Sequence, residues 1–312
     1  MLDLRQERSS PDRGSRFRRT ACAIALASAT AGTAAPLVAQ AVPDVDIFLV
    51  DLVTRNGTLT ATGARNLTSR IGYDNQPSWS RDGRAIYFTS IGDDAQADIY
   101  RMDRQGAALA RVTMTAESEY SATVVPGGSA ISVIRVERDS TQRLWRVPLD
   151  GGADQVILAD IKPVGYHTWA SESTLALFVL GSPNTLQLAR TSTGRADTII
   201  TSIGRSLHTT RDGSVSFVHK VSAEEWWLML LDTRTRAMQR LVQMPLRVED
   251  YAWLPDGRVV AGEGSILKVF DPRTGGSWET VADLAQFGIR DITRLAVSPS
   301  GDAIAVVAVE RR

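Results

Sequence analysis

The stretch PSWSRDGR at residues 77–84, followed by AIYFT at residues 85–89, decides the fold of this 312-residue chain. It predicts a strand that ends at Trp79, a tight Asp-Gly turn, and a second strand that runs back along the first. Gly83 suits the turn because a two-residue hairpin turn needs a positive φ, which costs little only in a residue without a Cβ. We interpret the segment as a β-hairpin with a two-residue turn.

The same pattern returns five more times along the chain. The copy at residues 169–173 is degenerate, whereas WLPDG at 253–257 and VSPSG at 297–301 are clear. A period of about 45 residues is the size of a propeller blade, which has four short strands. The positions equivalent to Trp79 are 79, 124, 169, 209, 253 and 297, with spacings of 45, 45, 40, 44 and 44 residues.

A second series of strands supports this interpretation. Alternating segments that end in polar turns lie at residues 98–103, 143–147, 185–189, 226–230 and 265–270. A sixth such segment, at 46–51, precedes the first hairpin, and the chain ends one strand after Gly301. The N-terminus therefore supplies the third and fourth strands of one blade, and the C-terminus supplies its first and second strands. This arrangement closes the ring and leaves no half-blade edge unpaired.

The predicted fold is all-β: a six-bladed β-propeller of four-stranded antiparallel blades. A β-sandwich, a solenoid and two small β-domains are the alternatives. None of them predicts six equal units with complementary half-units at the two ends of the chain. Trp79, Trp169 and Trp253 recur at the blade period, so we expect them to fill the wedges between blades.

The first 41 residues differ from the rest. Four arginines within residues 13–19 precede an apolar run at 21–31, and VAQA at 38–41 supplies an Ala-x-Ala site. These features predict a cleavable secretory signal at 1–41, followed by a single propeller domain at 42–312. A disordered Ala-rich tail and a membrane anchor are the alternatives, although an anchor needs about 20 strongly apolar residues. We expect the mature chain in the bacterial periplasm or outside the cell, by the Sec or the Tat route.

Cysteine and charge exclude several classes of function. The single cysteine, Cys22, lies in the predicted signal, so the mature chain would have no disulfide, no thiolate zinc site and no cysteine nucleophile. The signal also contains six basic and three acidic residues, which leaves a slightly acidic remainder with no basic run. Because phosphate binding depends on clustered Lys and Arg, nucleic acid is excluded as a partner. No transmembrane segment is expected after the signal.

Several motifs resemble the repeat of the TolB-type propellers. They are PSWSRDG at 77–83, IYFTS at 86–90, DIYRMD at 98–103, NLT at 66–68 and RVT at 111–113. The resemblance implies a periplasmic propeller that binds proteins or peptides of the cell envelope through the mouth of its central channel. Similar repeats also form the propeller of prolyl-oligopeptidase-like peptidases. TolB itself has an α/β domain ahead of its propeller, and none is expected here.

The candidate site is the channel mouth, lined by the residues just ahead of each Trp79-type position. Tyrosine supplies rigid contact area with a polar tip, and arginine and carboxylates fix the orientation of a partner. The predicted binding residues are Asp74, Asn75, Gln76, Glu119, Tyr120, Tyr166, His167, Arg205, Ser206, Glu249, Asp250, Tyr251, Asp291 and Arg294.

Two weaker signals concern metal ions. His167 and His208 precede neighbouring inner strands, so a paired metal or acid–base role is one interpretation and two unrelated polar residues is the other. A third ligand would come from Glu119, Glu249, Asp250 or Asp291. The carboxylates Asp93, Asp94 and Asp98 form a weak calcium candidate, with a solvated turn as the alternative.

Catalytic signatures are missing from the sequence. It contains no Gly-x-Ser-x-Gly, no His-Glu-x-x-His, no phosphate-binding loop and no dinucleotide fingerprint. We therefore expect a monomeric, non-catalytic scaffold without a cofactor that binds an envelope protein or peptide. A lactonase- or cyclase-like hydrolase with a metal in the channel is the alternative, and an interaction module that binds through its lateral or bottom faces is a third possibility.

Overall fold

The computed structural model describes residues 43–92 and 95–310. The predicted secretory signal at 1–41 lies outside these residues, and so do Asp93 and Asp94. Within the described residues the only helical segment is a 3₁₀ turn, Leu284–Phe287, and no helix is long and apolar enough to cross a membrane.

The described chain folds into 24 strands. In chain order they are β1 (Asp46–Arg55), β2 (Thr58–Asn66), β3 (Tyr73–Trp79), β4 (Ala85–Ile91), β5 (Ala97–Asp103), β6 (Leu109–Arg111), β7 (Ser118–Val124), β8 (Ala130–Val136), β9 (Gln142–Pro148), β10 (Gln155–Val156), β11 (Val164–Trp169), β12 (Thr174–Val179), β13 (Thr185–Arg190), β14 (Arg195–Thr201), β15 (Ile203–Thr209), β16 (Val215–Lys220), β17 (Trp226–Leu231), β18 (Met238–Gln243), β19 (Tyr251–Trp253), β20 (Val259–Glu263), β21 (Ile266–Phe270), β22 (Glu279–Asp283), β23 (Ile289–Val297) and β24 (Ala303–Glu310).

These strands form six four-stranded antiparallel sheets, the blades of a propeller. Blades 2 to 6 take consecutive groups of four strands, from β3–β6 to β19–β22. Blade 1 has the order β2-β1-β24-β23, so it joins the two ends of the chain, with Phe48 opposite Val306. The first strand of each blade contacts the first strand of the next all the way round the ring. The predicted six-bladed fold and its composite blade are therefore confirmed.

The repeat also located the strand ends correctly. The six first strands end at Trp79, Val124, Trp169, Thr209, Trp253 and Val297, which are the positions that the repeat marks. The predicted two-residue turn is wrong, however. The Ser80 N–H donates to Ala85 O at 2.8 Å, so the turn has four residues, and the Asp82 carboxylate stabilises it by accepting from Ser80 and Arg84. Gly83 still takes a positive φ, of 68°.

The hydrophobic core is divided into six clusters, one at each junction between neighbouring blades. The second strands β4 and β8 are buried along almost their whole length, whereas the outer strands β6 and β10 are exposed. Because sheets stack face to face around a ring, the second strand of a blade is covered on both sides and the outer edge is not. The first strands, which line the channel, are partly exposed to it.

Three tryptophans join neighbouring blades, as predicted. Trp79 Nε1 donates to Ala296 O at 2.8 Å, across the junction between blades 2 and 1. Trp169 Nε1 donates to Ser132 Oγ at 2.9 Å, and Trp253 Nε1 donates to Ser216 Oγ at 2.8 Å. Each indole reaches the preceding blade. A tryptophan at this repeat position therefore packs its ring between two blades and also finds a hydrogen-bond acceptor for its N–H.

Candidate functional site

The first strands of all six blades line a central channel with a cavity of about 410 Å³. We call the end at which these strands begin the mouth. Two rings of residues face the cavity. The upper tier, three residues ahead of each Trp79-type position, is Gln76, Ser121, Tyr166, Ser206, Asp250 and Arg294. The lower tier, one residue ahead, is Ser78, Thr123, Thr168, His208, Ala252 and Ala296.

Five of the six first strands are irregular at the height of the upper tier or just above it. In β3 the pairing with β4 shifts between Asn75 and Ser78, and β7, β11, β15 and β23 have similar shifts. A β-bulge bends its strand and re-aims the side chains around it. As a result Arg205, four residues ahead of Thr209, lines the channel, whereas Asn75 at the same position of blade 2 does not.

A charged cluster crosses the channel at the upper tier. Arg294 Nη1 donates to both carboxylate oxygens of Asp250, at 2.8 and 3.0 Å, and Arg294 Nη2 donates to Tyr166 Oη at 2.9 Å. Arg205 donates to Asp250 Oδ2 from Nη2 at 2.7 Å and from Nε at 3.2 Å. Tyr166 belongs to blade 4 and Arg294 to blade 1, which lie opposite each other in a ring of six. We call these four residues the ion-paired cluster; it ties the two sides of the channel together.

Two further charges support this cluster. Glu249 accepts from the backbone N–H of Arg205 at 3.3 Å, and its carboxylate lies 3.4 Å from the Arg205 guanidinium. Lys220, at the end of β16, lies 2.7 Å from Glu249. The region therefore holds three cations and two carboxylates, a net charge of +1. The sequence analysis did not single out Lys220 for the site, because it follows a second strand and not a first strand.

Burial decides the protonation of the cluster. It raises the pKa of Asp250 to about 6, although the nearby Arg205 opposes the shift. It also raises the pKa of the Tyr166 phenol to about 12, so this group stays protonated at neutral pH. Burial acts because a desolvated carboxylate or phenolate is less stable than its neutral form.

The opposite wall of the channel carries uncharged groups. Gln76 Oε1 accepts from Thr89 Oγ1 at 2.9 Å and from the Ser121 backbone N–H at 2.8 Å. Gln76 is only 7 % exposed, and its Nε2 has no hydrogen-bonding partner among the described residues. The buried hydroxyls of Ser78 and Ser121 also have none within that part of the chain. We call Gln76, Ser78 and Ser121 the amide side.

Several predicted mouth residues are buried between blades and do not line the cavity. Asp74 pairs with Arg70 at 2.5 Å, and Glu119 lies 2.8 Å from Arg135. Tyr251 donates from Oη to Ser216 Oγ at 2.9 Å inside the core. The residues that the structure buries, against the prediction, are Asp74, Asn75, Glu119, Tyr120 and Tyr251. Glu119 pairs within its own blade and Tyr251 reaches the preceding blade, so such residues hold the blades and do not form the cavity wall.

The remaining predicted residues divide between the cavity wall and its surroundings. Asp291 is exposed in β23, with a φ of 50°, and is not among the residues that line the cavity. Glu249 contacts Arg205 and is not among the residues that line the cavity. The predicted residues that the structure brings together on the cavity wall are Gln76, Tyr166, His167, Arg205, Ser206, Asp250 and Arg294.

The two histidines have different surroundings. His167 Nε2 lies 2.6 Å from Ser132 Oγ on blade 3, at the repeat position that Tyr251 fills in blade 6. His208 faces the channel, 3.2 Å from Ser206 Oγ, with its ring against that of Tyr251. Burial lowers the pKa to about 3 for His167 and about 4 for His208, so both are neutral.

The described residues contain no group of three or more His, Cys, Asp or Glu side chains that could hold a metal ion. Of the calcium candidates, Asp98 pairs with Arg111 at 2.5 Å, and Asp93 and Asp94 lie outside the described residues. Each histidine of the predicted pair hydrogen-bonds to a different serine, His167 to Ser132 and His208 to Ser206.

One aromatic residue at the mouth was missed by the sequence analysis. The Tyr73 phenol is partly buried, and burial raises its pKa, as do the neighbouring Tyr166 and Tyr120, whereas Arg205 lowers it. Tyr73 begins β3, directly ahead of the predicted Asp74. Its position at the start of an innermost strand is the signal that could have identified it.

Apolar side chains project from the loops of the mouth face. Ile71 is 79 % exposed between β2 and β3, and Met114 is 78 % exposed between β6 and β7. Val221, between β16 and β17, and Leu246, between β18 and β19, are also exposed. All four loops lie at the mouth end, because the second and fourth strands of a blade run towards it. The sequence analysis considered only polar residues here.

The fold resembles several solved structures. A candidate TolB from Agrobacterium tumefaciens superimposes with a TM-score of 0.68 at 15 % identity, over 86 % of this chain and 99 % of that one. TolB from Acinetobacter baumannii gives 0.56 at 13 % identity, over 84 % and 64 %. A chain of a nidogen/laminin complex gives 0.61 at 11 % identity, over 86 % and 100 %. No family model and no curated protein sequence matches this chain. At these identities the likeness shows the six-bladed fold.

Proposed function

We propose that this protein is a monomeric, non-catalytic binding scaffold of the bacterial periplasm or exterior. Its mouth face captures another protein or a peptide of the cell envelope. The observation that carries the proposal is the combination of exposed Ile71 and Met114 with a polar channel directly inside their ring of loops. The predicted signal at 1–41 supports export.

The composition of the mouth face supports protein binding. Large apolar side chains that stand clear of the surface lose unfavourable contact with water when a partner covers them. Protein interfaces combine such apolar anchors with arginine and tyrosine, and a few of these residues carry most of the binding energy. Tyr73, Tyr166 and Arg294 lie inside the apolar loops and supply that polar component.

The similar structures are consistent with this function. Among them are TolB proteins and a nidogen/laminin complex, in which two proteins are bound to each other. The resemblance of the repeat to the TolB-type propellers implies the same use of the mouth. The geometry of this chain's own mouth face carries the proposal, and the relatives add support.

The hydrolase alternative needs a metal ion in the channel. His167 and His208 would be its nitrogen ligands, but hydrogen bonds hold them towards Ser132 and Ser206. Elemental analysis of protein purified without chelator separates the two functions. Stoichiometric calcium or zinc would contradict a non-catalytic scaffold.

The experiment that tests the proposal changes the apolar loops. Ile71→Asp combined with Met114→Asp should remove at least about 90 % of the crosslinks to an envelope partner, because each carboxylate would have to be desolvated in the interface. The measurement is quantitative crosslinking in the native envelope, with partners identified by mass spectrometry.

Leu149→Asp is the matched control. Leu149 is an exposed apolar residue that follows β9, at the end of the propeller opposite the mouth. The control should keep the crosslinks of the wild type. Crosslinks that survive the double variant, or that disappear with Leu149→Asp, would place the partner on another face.

A further inference from the structure

The wall of the channel presents hydrogen-bond donors that have no acceptor among the described residues. The orientation of the Gln76 amide is fixed, because the Ser121 backbone N–H can only donate and therefore requires the carbonyl oxygen Oε1. Thr89 Oγ1 donates to the same oxygen. Nε2, which only donates, is then the free end of a side chain that lines the cavity and is 93 % buried. A buried donor without a partner is costly, so its retention calls for an explanation.

Tyr166 contributes a second donor. Its oxygen accepts from Arg294 Nη2 at 2.9 Å, so its own O–H is left to donate to another group. The Gln76 side chain lies close enough to the Tyr166 phenol to lower its pKa as a hydrogen-bonding neighbour, but the two groups do not form a hydrogen bond of good geometry. Both groups line the same cavity, as do the Ser78 and Ser121 hydroxyls.

The net positive charge around these donors favours a negatively charged ligand. Within the part of the chain that the structure describes, the ion pairs of Lys220, Arg205 and Arg294 are made with Glu249 and Asp250, so three cations share two carboxylates and one positive charge is left over. Charged groups interact strongly where water is scarce. A cation would meet amide hydrogens and guanidinium groups, whereas an anion with two oxygens would meet donors.

We propose that the upper tier of the channel binds one carboxylate group, held by Gln76 Nε2, the Tyr166 hydroxyl and the Arg294 guanidinium. The carboxylate comes from a small free carboxylic acid or from the C-terminus of a polypeptide that enters the mouth. The site is a property of the channel wall. It extends the proposed scaffold function without resting on it, since a small acid can bind whether or not a protein covers the loops.

The experiment titrates the folded protein with three probes: acetate, trialanine, and trialanine amide, which lacks the carboxylate. The Trp79 and Trp253 indoles line the same cavity and report binding through their N–H signals in NMR spectra. Acetate, trialanine or both should shift these signals, and the amide should not. Binding of acetate identifies a small-acid site, and binding of trialanine alone identifies a polypeptide C-terminus.

Gln76→Glu tests the amide. This variant keeps the oxygen that accepts from Ser121 and Thr89 and replaces only the Nε2 donor by a second oxygen. Affinity for the carboxylate probes should fall about tenfold or more, because a hydrogen bond to a charged group is lost and a like charge is added. Gln239→Glu, on the exposed outer strand β18, adds the same charge and should leave binding unchanged.

Tyr166→Phe is a second, milder variant, and it should weaken the carboxylate probes several-fold. Tyr251→Phe is its control, because that hydroxyl donates to Ser216 and does not line the channel. The proposal fails if trialanine amide binds as well as trialanine, if neither carboxylate probe shifts the indole signals, or if Gln76→Glu binds the carboxylate probe that the wild type binds with unchanged affinity. None of these readouts depends on an envelope partner, so failure here is distinct from failure of the scaffold function.

Discussion

The ion-paired cluster and the amide side face each other across one channel, yet their polar groups are satisfied in opposite ways. In the cluster, Arg205 and Arg294 both reach Asp250, and Arg294 continues to Tyr166 on the far blade. On the amide side, Gln76 Nε2 and two serine hydroxyls have no partner among the described residues. Satisfied groups hold a ring together, whereas unsatisfied groups are available to a ligand. The cluster thus holds the blades together, whereas the amide side adds an unpartnered donor to those that Tyr166 and Arg294 keep for a ligand.

The largest expected effect comes from breaking the ion-paired cluster. Asp250→Ala leaves Arg205 and Arg294 largely buried without their carboxylate, which should lower the free energy of unfolding by about 3–5 kcal/mol. Urea denaturation monitored by tryptophan fluorescence measures the change. A loss below about 1 kcal/mol would mean that the cross-channel ties do not hold the ring.

The next largest effect is expected on the pH dependence of the free energy of unfolding. Burial raises the pKa of Glu119 to about 7. The neighbouring Arg135 acts in the opposite direction but does not offset burial, because it also pairs with Glu117 and Asp154. The folded protein then binds this proton more tightly than the unfolded chain does. The stability from this group is complete below pH 4.5 and is lost as the pH rises through about 7, a change on the order of 3 kcal/mol.

Denaturation between pH 5 and pH 8 measures the net pH dependence, to which Asp250 contributes in the same direction and the buried His167 and His208, whose pKa values are lowered, contribute in the opposite direction. Comparison with Glu119→Gln isolates the buried carboxylate, because this variant should lack its share of the stability lost between pH 5 and pH 8, on the order of 3 kcal/mol. An unchanged slope in Glu119→Gln would show that the buried carboxylate of blade 3 does not titrate in this range.

The smallest effect is expected on the amide side. Gln76→Met removes the acceptor of Ser121 and Thr89 but also removes the unpartnered Nε2, so the net loss should be only about 1 kcal/mol. The same urea measurement applies. A loss as large as that of Asp250→Ala would mean that both walls are structural, and the comparison would no longer hold.

The repeat predicted the architecture because each blade depends on local features. A strand, a turn with a positive φ at Gly83, and an indole that reaches the previous blade recur in sequence at one period. The composite blade followed from the half-units at the two ends. These features involve residues close in sequence or separated by one repeat, so a single sequence displays them.

The site was less predictable because it depends on contacts across the ring. Arg205 and Asn75 occupy equivalent repeat positions, but only Arg205 lines the cavity. Strand bulges decide which of these side chains faces the channel, and the turn residues do not reveal the bulges. The pairing of Arg294 with Tyr166, 128 residues apart, arises only when blades 1 and 4 face each other. The sequence analysis missed the apolar loops because it considered only polar residues at the mouth.

The composite blade also has a consequence for how the molecule is made. β1 is among the first strands to emerge during synthesis, but its partner β24 is among the last. Until β24 has been synthesised, one edge of β1 stays unpaired and the ring cannot close. A chain of this design therefore completes its ring only after nearly all of its strands have been synthesised, so blade 1 is the last blade that can form in full.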